Sequence, residues 1–134
     1  MASTGASGTD GGVTDAVELI RAHAKETVYS VVRFDSDGFE PLYVAPETRA
    51  MYPDEVSMEK HFSELHDYVN VDFAEIALFS EELLPAAGSV NYVTTAMDGV
   101  KILRVYAGHS GVFLALHPEE PVVSLVDIVD GHLL

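Results

Sequence analysis

Apolar residues recur along this chain with two different periods, and the switches between them divide it into elements. Val13, Ala16, Val17, Ile20 and Ala24 fall at helical spacing. Thr14 is placed to cap that helix, and Asp15 and Glu18 sit in its first turn, where carboxylates suit the positive end of the helix dipole. The pattern predicts a helix ending near Glu26. Residues 27–34 are then β-branched and aromatic, Asp35-Ser36-Asp37-Gly38 carries turn chemistry, and residues 39–44 are apolar again, which predicts a β-hairpin. Pro41 cannot donate to a ladder, so the second strand belongs at a sheet edge.

Pro53 suits the first position of a helix, and Met58, Phe62, Leu65 and Val69 follow as one apolar stripe. A second helical segment opens at Asp72, whose carboxylate and that of Glu75 fit a capping box. Phe73, Ile76, Ala77 and Leu84 form its inner side, with Pro85 and Gly88 closing it. Asn70 either breaks or bends the run, so residues 53–85 hold one helix or two. Strands are predicted over 90–96, 100–107 and 112–116, and Asp98-Gly99 makes a two-residue hairpin turn because Gly supplies the positive φ. Pro121 opens a last helix with Val122, Leu125, Val126 and Val129 on one side, stopped at Gly131. The order α-β-β-α(α)-β-β-β-α describes an α+β domain with helices packed on a mostly antiparallel five-stranded sheet.

Charge changes the picture of the surface. The chain carries 22 Asp and Glu against 7 Lys and Arg, a formal charge of −15, while 48% of its residues are hydrophobic. The acids are spread through nearly every segment, so they coat a globule and do not form a tail. Their mutual repulsion is muted when the Debye length falls to about 3 Å near 1 M salt. The composition therefore fits a salty cytoplasm. The same charge argues against nucleic acid and anionic lipid as partners, since phosphate recognition rests on Lys and Arg. No Cys is present, which removes disulfides, thiolate nucleophiles and Cys-ligated zinc, and no apolar run is long enough to span a membrane. Residues 1–12 lack the basic and apolar regions of a signal peptide and read as a disordered leader on a cytoplasmic protein; residues 13–134 read as a single α+β domain.

Helix, hairpin, long helical segment, three-stranded meander and final helix, followed from Thr14 to Gly131, resemble the roadblock and profilin-like arrangement. That resemblance implies the sheet order 2-1-5-4-3. It also implies a non-catalytic dimer of the kind that regulates small GTPases or docks motor and signalling partners. The stretch between Tyr52 and Pro85 is longer than in those domains. The acid load and the segment Arg104-Val105-Tyr106-Ala107-Gly108-His109-Ser110-Gly111-Val112 are similar to those of small uncharacterised proteins of salt-loving archaea.

Few residues suggest chemistry. His61 and Glu64 lie three apart on a predicted helix with His66 and Asp67 nearby, but His66 is turned away from His61 and a third metal ligand is missing, so a solvated face is expected and no metal. Gly108-His109-Ser110-Gly111 superficially resembles a hydrolase serine. It lacks the strand-to-helix turn of a nucleophile elbow, and a hairpin turn is expected in its place. Tyr29, Tyr43, Tyr92 and Tyr106 fall on strands, where aromatic pairs stabilise a sheet. Arg33, Arg104 and Tyr106 are the residues that could bind an anionic small molecule; the alternative is that the two Arg neutralise carboxylates across the sheet.

Residues 28–32 and 112–116 are apolar on both faces, as central strands should be. A sheet face left uncovered by the chain's own helices needs a lid, and a second protomer supplies one. The leading reading is a non-enzymatic, homodimeric regulatory or scaffolding module that acts through protein partners and needs no cofactor. The alternative is a small-molecule sensor with a pocket between sheet and helix. A hydrolase ranks last, for want of a coherent acid, base and nucleophile set and hence of any catalytic residue to name.

Overall fold

Alternating side chains give the sheet two apolar faces, and each face takes its own helices. The computed structural model covers the backbone of residues 2–134, with side chains from Gly12 onward. The leader expected over 1–12 lies, apart from that backbone, outside the described residues. Five strands, β1 (Val28–Asp35), β2 (Phe39–Val44), β3 (Tyr92–Ala96), β4 (Lys101–Ala107) and β5 (Ser110–Leu116), pair antiparallel in the order β2-β1-β5-β4-β3. On one face Val31, Leu103, Val105, Val112, Leu114 and Leu116 pack on helix α1 (Ala2–His23) through Ala16 and Ile20. Helix α5 (Val123–His132) joins them through Leu125 and Val129. The opposite face is more thinly covered. There Val32 meets Met58 and Phe62 of helix α3 (Glu55–Asp67), with Phe39 and Phe113 alongside.

β2 is an edge strand, as Pro41 demands, and a bulge at Leu42, opposite the step from Val31 to Val32, lies beside that proline. Helix ends depart further from the sequence pattern. Thr14 lies inside α1, which stops at His23. A short helix α2 (Pro46–Arg49), opened by Pro46 at its first turn, was not expected. Pro53 precedes the cap and Asp54 is the cap, its carboxylate accepting the Ser57 N–H at 2.7 Å. Tyr68 separates α3 from α4 (Val69–Ala77), so residues 53–85 hold two helices, and α4 runs on into a π-helical turn (Leu78–Leu83) and a 3-10 turn (Pro85–Ala87). Gly131 does not stop α5: the N–H of buried Leu133 bonds the Val129 carbonyl at 2.8 Å, and the core holds the last turn past the glycine.

Two long-range contacts fix the frame. Glu120, only 2% exposed, receives the Glu26 N–H at 2.7 Å and the Lys25 N–H at 3.1 Å, closing the corner between α1 and β1. Its own carbonyl accepts Lys101 Nζ at 2.7 Å. Across the sheet, Phe34, Gly111 and Tyr106 stand in one row. The two rings meet edge-on above the glycine, centroids 5.6 Å apart. A Cβ on Gly111 would lie 2.6 Å from the Val105 carbonyl and 2.7 Å from the Phe34 ring. Only glycine fits beneath that pair.

Candidate functional site

The thinly covered face leads to the surface of interest. Among the described residues, none between Phe62 and Leu103 is buried. This stretch contains α4, both irregular turns and β3, and it is far from polar. Tyr68 is 70% exposed and Val71 59%, with Leu65, Leu78, Phe79, Leu83 and Leu84 also exposed. Tyr68, Val71 and Leu78, three and then seven apart, share the outward side of α4 and its approach, while Leu65 lines the apolar cleft with Phe62 and Val69. Leu84, expected to point inward, is 57% exposed.

β3 continues this surface as an open edge. The bonds Tyr106 N–H to Asn91 O (3.0 Å) and Met97 N–H to Val100 O (2.9 Å) bracket the β3–β4 ladder. Antiparallel alternation then turns the backbone groups of Val93 and Thr95 toward β4, and those of Tyr92, Thr94 and Ala96 outward. Residues 83–97 contain no charged side chain, in a chain with a formal charge of −15. Edge strands are ordinarily guarded by proline, charge or a bulge. β2 has Pro41, Glu40 and a bulge of its own at Leu42; β3 has none of these.

α4 is fastened to the sheet by a polar cluster. Arg104 Nε donates to Asp72 Oδ2 at 2.8 Å and Nη2 to Oδ1 at 3.4 Å, while the Tyr106 hydroxyl donates to the same Oδ2. The two charged side chains are 14% and 16% exposed. On its other side the guanidinium is anchored by the sheet itself, donating to Thr95 Oγ1 at 2.7 Å and to the Ile102 carbonyl. Burial, and then the Asp72 carboxylate, push the Tyr106 hydroxyl far above the ordinary phenol range, so it remains a donor. Phe73, next to Asp72, packs edge-on against both Tyr106 (5.5 Å) and His109 (5.7 Å).

Arg104 and Tyr106 are thus brought together, as their two-residue spacing on one strand predicts, and Asp72 joins them. Arg33 is not part of this group. Register puts it opposite Val112, on the face that carries α1 and α5, and it pairs with Glu40 across the β1–β2 ladder at 2.8 Å. Asp72 is the residue that sequence reasoning misplaced: it lies inside α4 and serves as the acceptor for Arg104 and Tyr106, where a cap was expected. The other candidates have local partners. His61 Nδ1 hydrogen-bonds the Tyr52 hydroxyl at 2.6 Å, and His66 Nε2 donates to the Asp35 carbonyl at 2.7 Å. Among the described residues no three His, Asp or Glu side chains are grouped to hold a metal. Ser110 belongs to β5, and its hydroxyl donates to the Ala107 carbonyl across the turn. Nor is any described helix long and apolar enough to cross a membrane.

A crystal structure of a Roadblock/LC7 domain from Streptomyces avermitilis superimposes on this fold with a TM-score of 0.51. The match covers 87% of this chain and 92% of that one at 12% sequence identity. The fold is therefore roadblock-like, an α+β domain on a five-stranded antiparallel sheet. No curated protein matches the chain. Residues 14–134 match the family described as Domain of unknown function (DUF7522), and the chain belongs to that family.

Proposed function

We propose that this chain is a non-catalytic interaction module that works as a homodimer in a salt-rich cytoplasm, with a second copy laid over β3 and the outward side of α4. The observation that carries the reading is the long unburied stretch between Phe62 and Leu103, apolar in much of its length and ending in an unguarded strand edge. An exposed apolar surface of this kind marks an interface. A second copy suits it because association of two strongly acidic chains is least opposed where the chain carries no charge, and residues 83–97 carry none. Pairing the outward groups of Tyr92, Thr94 and Ala96 with their symmetry mates would join two sheets into one. The roadblock-like fold supports the reading, since the resemblance carries dimers that dock protein partners. The anionic-ligand alternative has less behind it: Asp72 already occupies Arg104, and Glu40 occupies Arg33 on the other face.

The test is light scattering after gel filtration in about 2 M KCl, where surface repulsion is screened. The native chain should run as a dimer. Thr94→Pro, which removes one outward N–H and leaves the β4 ladder intact, should run as a folded monomer. Lowering the salt should weaken the native dimer first and then loosen the fold. A native chain that stays monomeric at millimolar concentration in that buffer sinks the reading.

A further inference from the structure

Helix α4 and the two turns that follow it cover one end of the second sheet face, yet they contribute no buried side chain among the described residues. What holds them down is concentrated in one place. Asp72 takes three donated hydrogen bonds from Arg104 and Tyr106, and Phe73 beside it sits between the rings of Tyr106 and His109. Beyond that point the tether is slight: Ser80 Oγ accepts the Val90 N–H at 3.4 Å.

The backbone is irregular at both ends of the segment. At Tyr68 the α-helical ladder is interrupted by shorter-range bonds, Tyr68 N–H to Leu65 O at 3.1 Å and Val71 N–H to Tyr68 O at 3.0 Å. At the far end Gly88 holds a φ of +85°, in the region that glycine adopts freely. Arg104 would stay behind if the segment lifted, because Thr95 and the Ile102 carbonyl also hold its guanidinium. Beneath the near end lies an apolar cleft formed by Val32, Phe34, Phe39, Phe62 and Phe113, with Val69 of α4 at its lip.

We propose that residues 69–87 form a strap with its own opening equilibrium, latched to the sheet by Asp72, and that the latch sets how strongly the chain dimerises. The second clause rests on the dimer reading above; the first does not. A locally opening unit exchanges its amides without unfolding the remainder. A partner that needs the strap closed binds with an affinity reduced by the closed fraction, and in a homodimer that fraction enters once for each copy, so opening the latch weakens dimerisation by the square of the factor by which the closed population falls.

Hydrogen exchange read by mass spectrometry, at a dilution where the chain is monomeric, tests the strap directly. In Asp72→Asn, peptides from residues 69–87 should exchange about tenfold faster or more, as expected for losing charge-assisted hydrogen bonds, while peptides from β1 and β5 keep their native rates. Tyr106→Phe keeps the ring and removes one donor, so it should speed the same peptides several-fold less, and it serves if Asp72→Asn does not fold. Unchanged exchange in the strap overturns the proposal. Equal acceleration in strap and strands overturns it too, because the segment would then open only with the whole domain. Sedimentation of the same variants reads the second clause: their dimers should weaken by the square of the fall in closed fraction that the strap's exchange rates give, and unaltered dimer affinity in a variant whose closed fraction has fallen several-fold refutes the coupling. A strap that opens in a chain that never dimerises removes the dimer and leaves the strap.

Discussion

Replacing Glu120 should be the most damaging single change to a charged residue outside the interface. The side chain is 2% exposed and its two oxygens take the N–H groups of Glu26 and Lys25, at 2.7 and 3.1 Å, from the other end of the sequence. A hydrogen bond to a charged group is worth about 1.5–3 kcal/mol net. The lower figure applies here, because Lys25 and Glu26 are exposed and water can reach their amides once the carboxylate is gone. Two such bonds give a loss of about 3 kcal/mol for Glu120→Ala. Glu120→Gln keeps one acceptor oxygen and should lose about half as much. With an unfolding entropy of about 2.1 cal/mol/K per residue, 134 residues give about 0.28 kcal/mol/K, so the alanine variant should melt about 11 °C lower. Thermal and urea unfolding followed by circular dichroism in concentrated KCl measure this, with exposed Glu119→Ala as the control that should change stability by less than about 0.5 kcal/mol. The deficit should persist between moderate and high salt, since a buried contact is screened far less than a surface one. If Glu120→Ala and Glu119→Ala prove equally mild, the buried carboxylate does not hold the α1–β1 corner.

Gly111→Ala should destabilise by about 1–3 kcal/mol, because the new methyl meets backbone at 2.6 Å and a packed ring at 2.7 Å; a near-native melting point would show that Phe34 and Tyr106 can move aside. Asp54 predicts an acid-side effect. The Ser57 N–H bonded to its carboxylate lowers its pKa in the folded state, so its contribution is complete above the unfolded carboxylate range near about pH 4 and is lost as pH falls through the lowered folded value. Stability of Asp54→Ala measured against pH should therefore fall less steeply on acidification than that of the native chain, and parallel curves would contradict the cap's role.

The sheet was legible because its signals are local. Alternation, Asp98-Gly99 and the turn around Asp37 mark the strands, though Gly99 does not take the positive φ expected of it, and Pro41 marks an edge; the order of the strands came from the resemblance to the roadblock arrangement. Helix ends were harder to read, since tertiary contacts overrule local preference: Leu133 carries α5 past Gly131, and the Arg104–Tyr106 pair uses an Asp that resembles a cap. The spacing of Arg104 and Tyr106 did put them on one face. Placing Arg33 on the other required the β1–β5 register, which no short-range pattern encodes. Gly111 lies inside β5, whereas the sequence pattern puts it in the turn before that strand. Glu120 had no signal, being one acid among 22 in the sequence with partners some 95 residues away.

The measurement that bears most directly on the homodimer is residue-resolved amide exchange along β3 as a function of protein concentration, in concentrated KCl. Val93 and Thr95, bonded to β4, should be protected at every concentration, whereas Tyr92, Thr94 and Ala96 should exchange freely when dilute and become protected as the chain is concentrated. Outward amides that exchange at the same fast rate at every concentration would contradict a second copy on this edge.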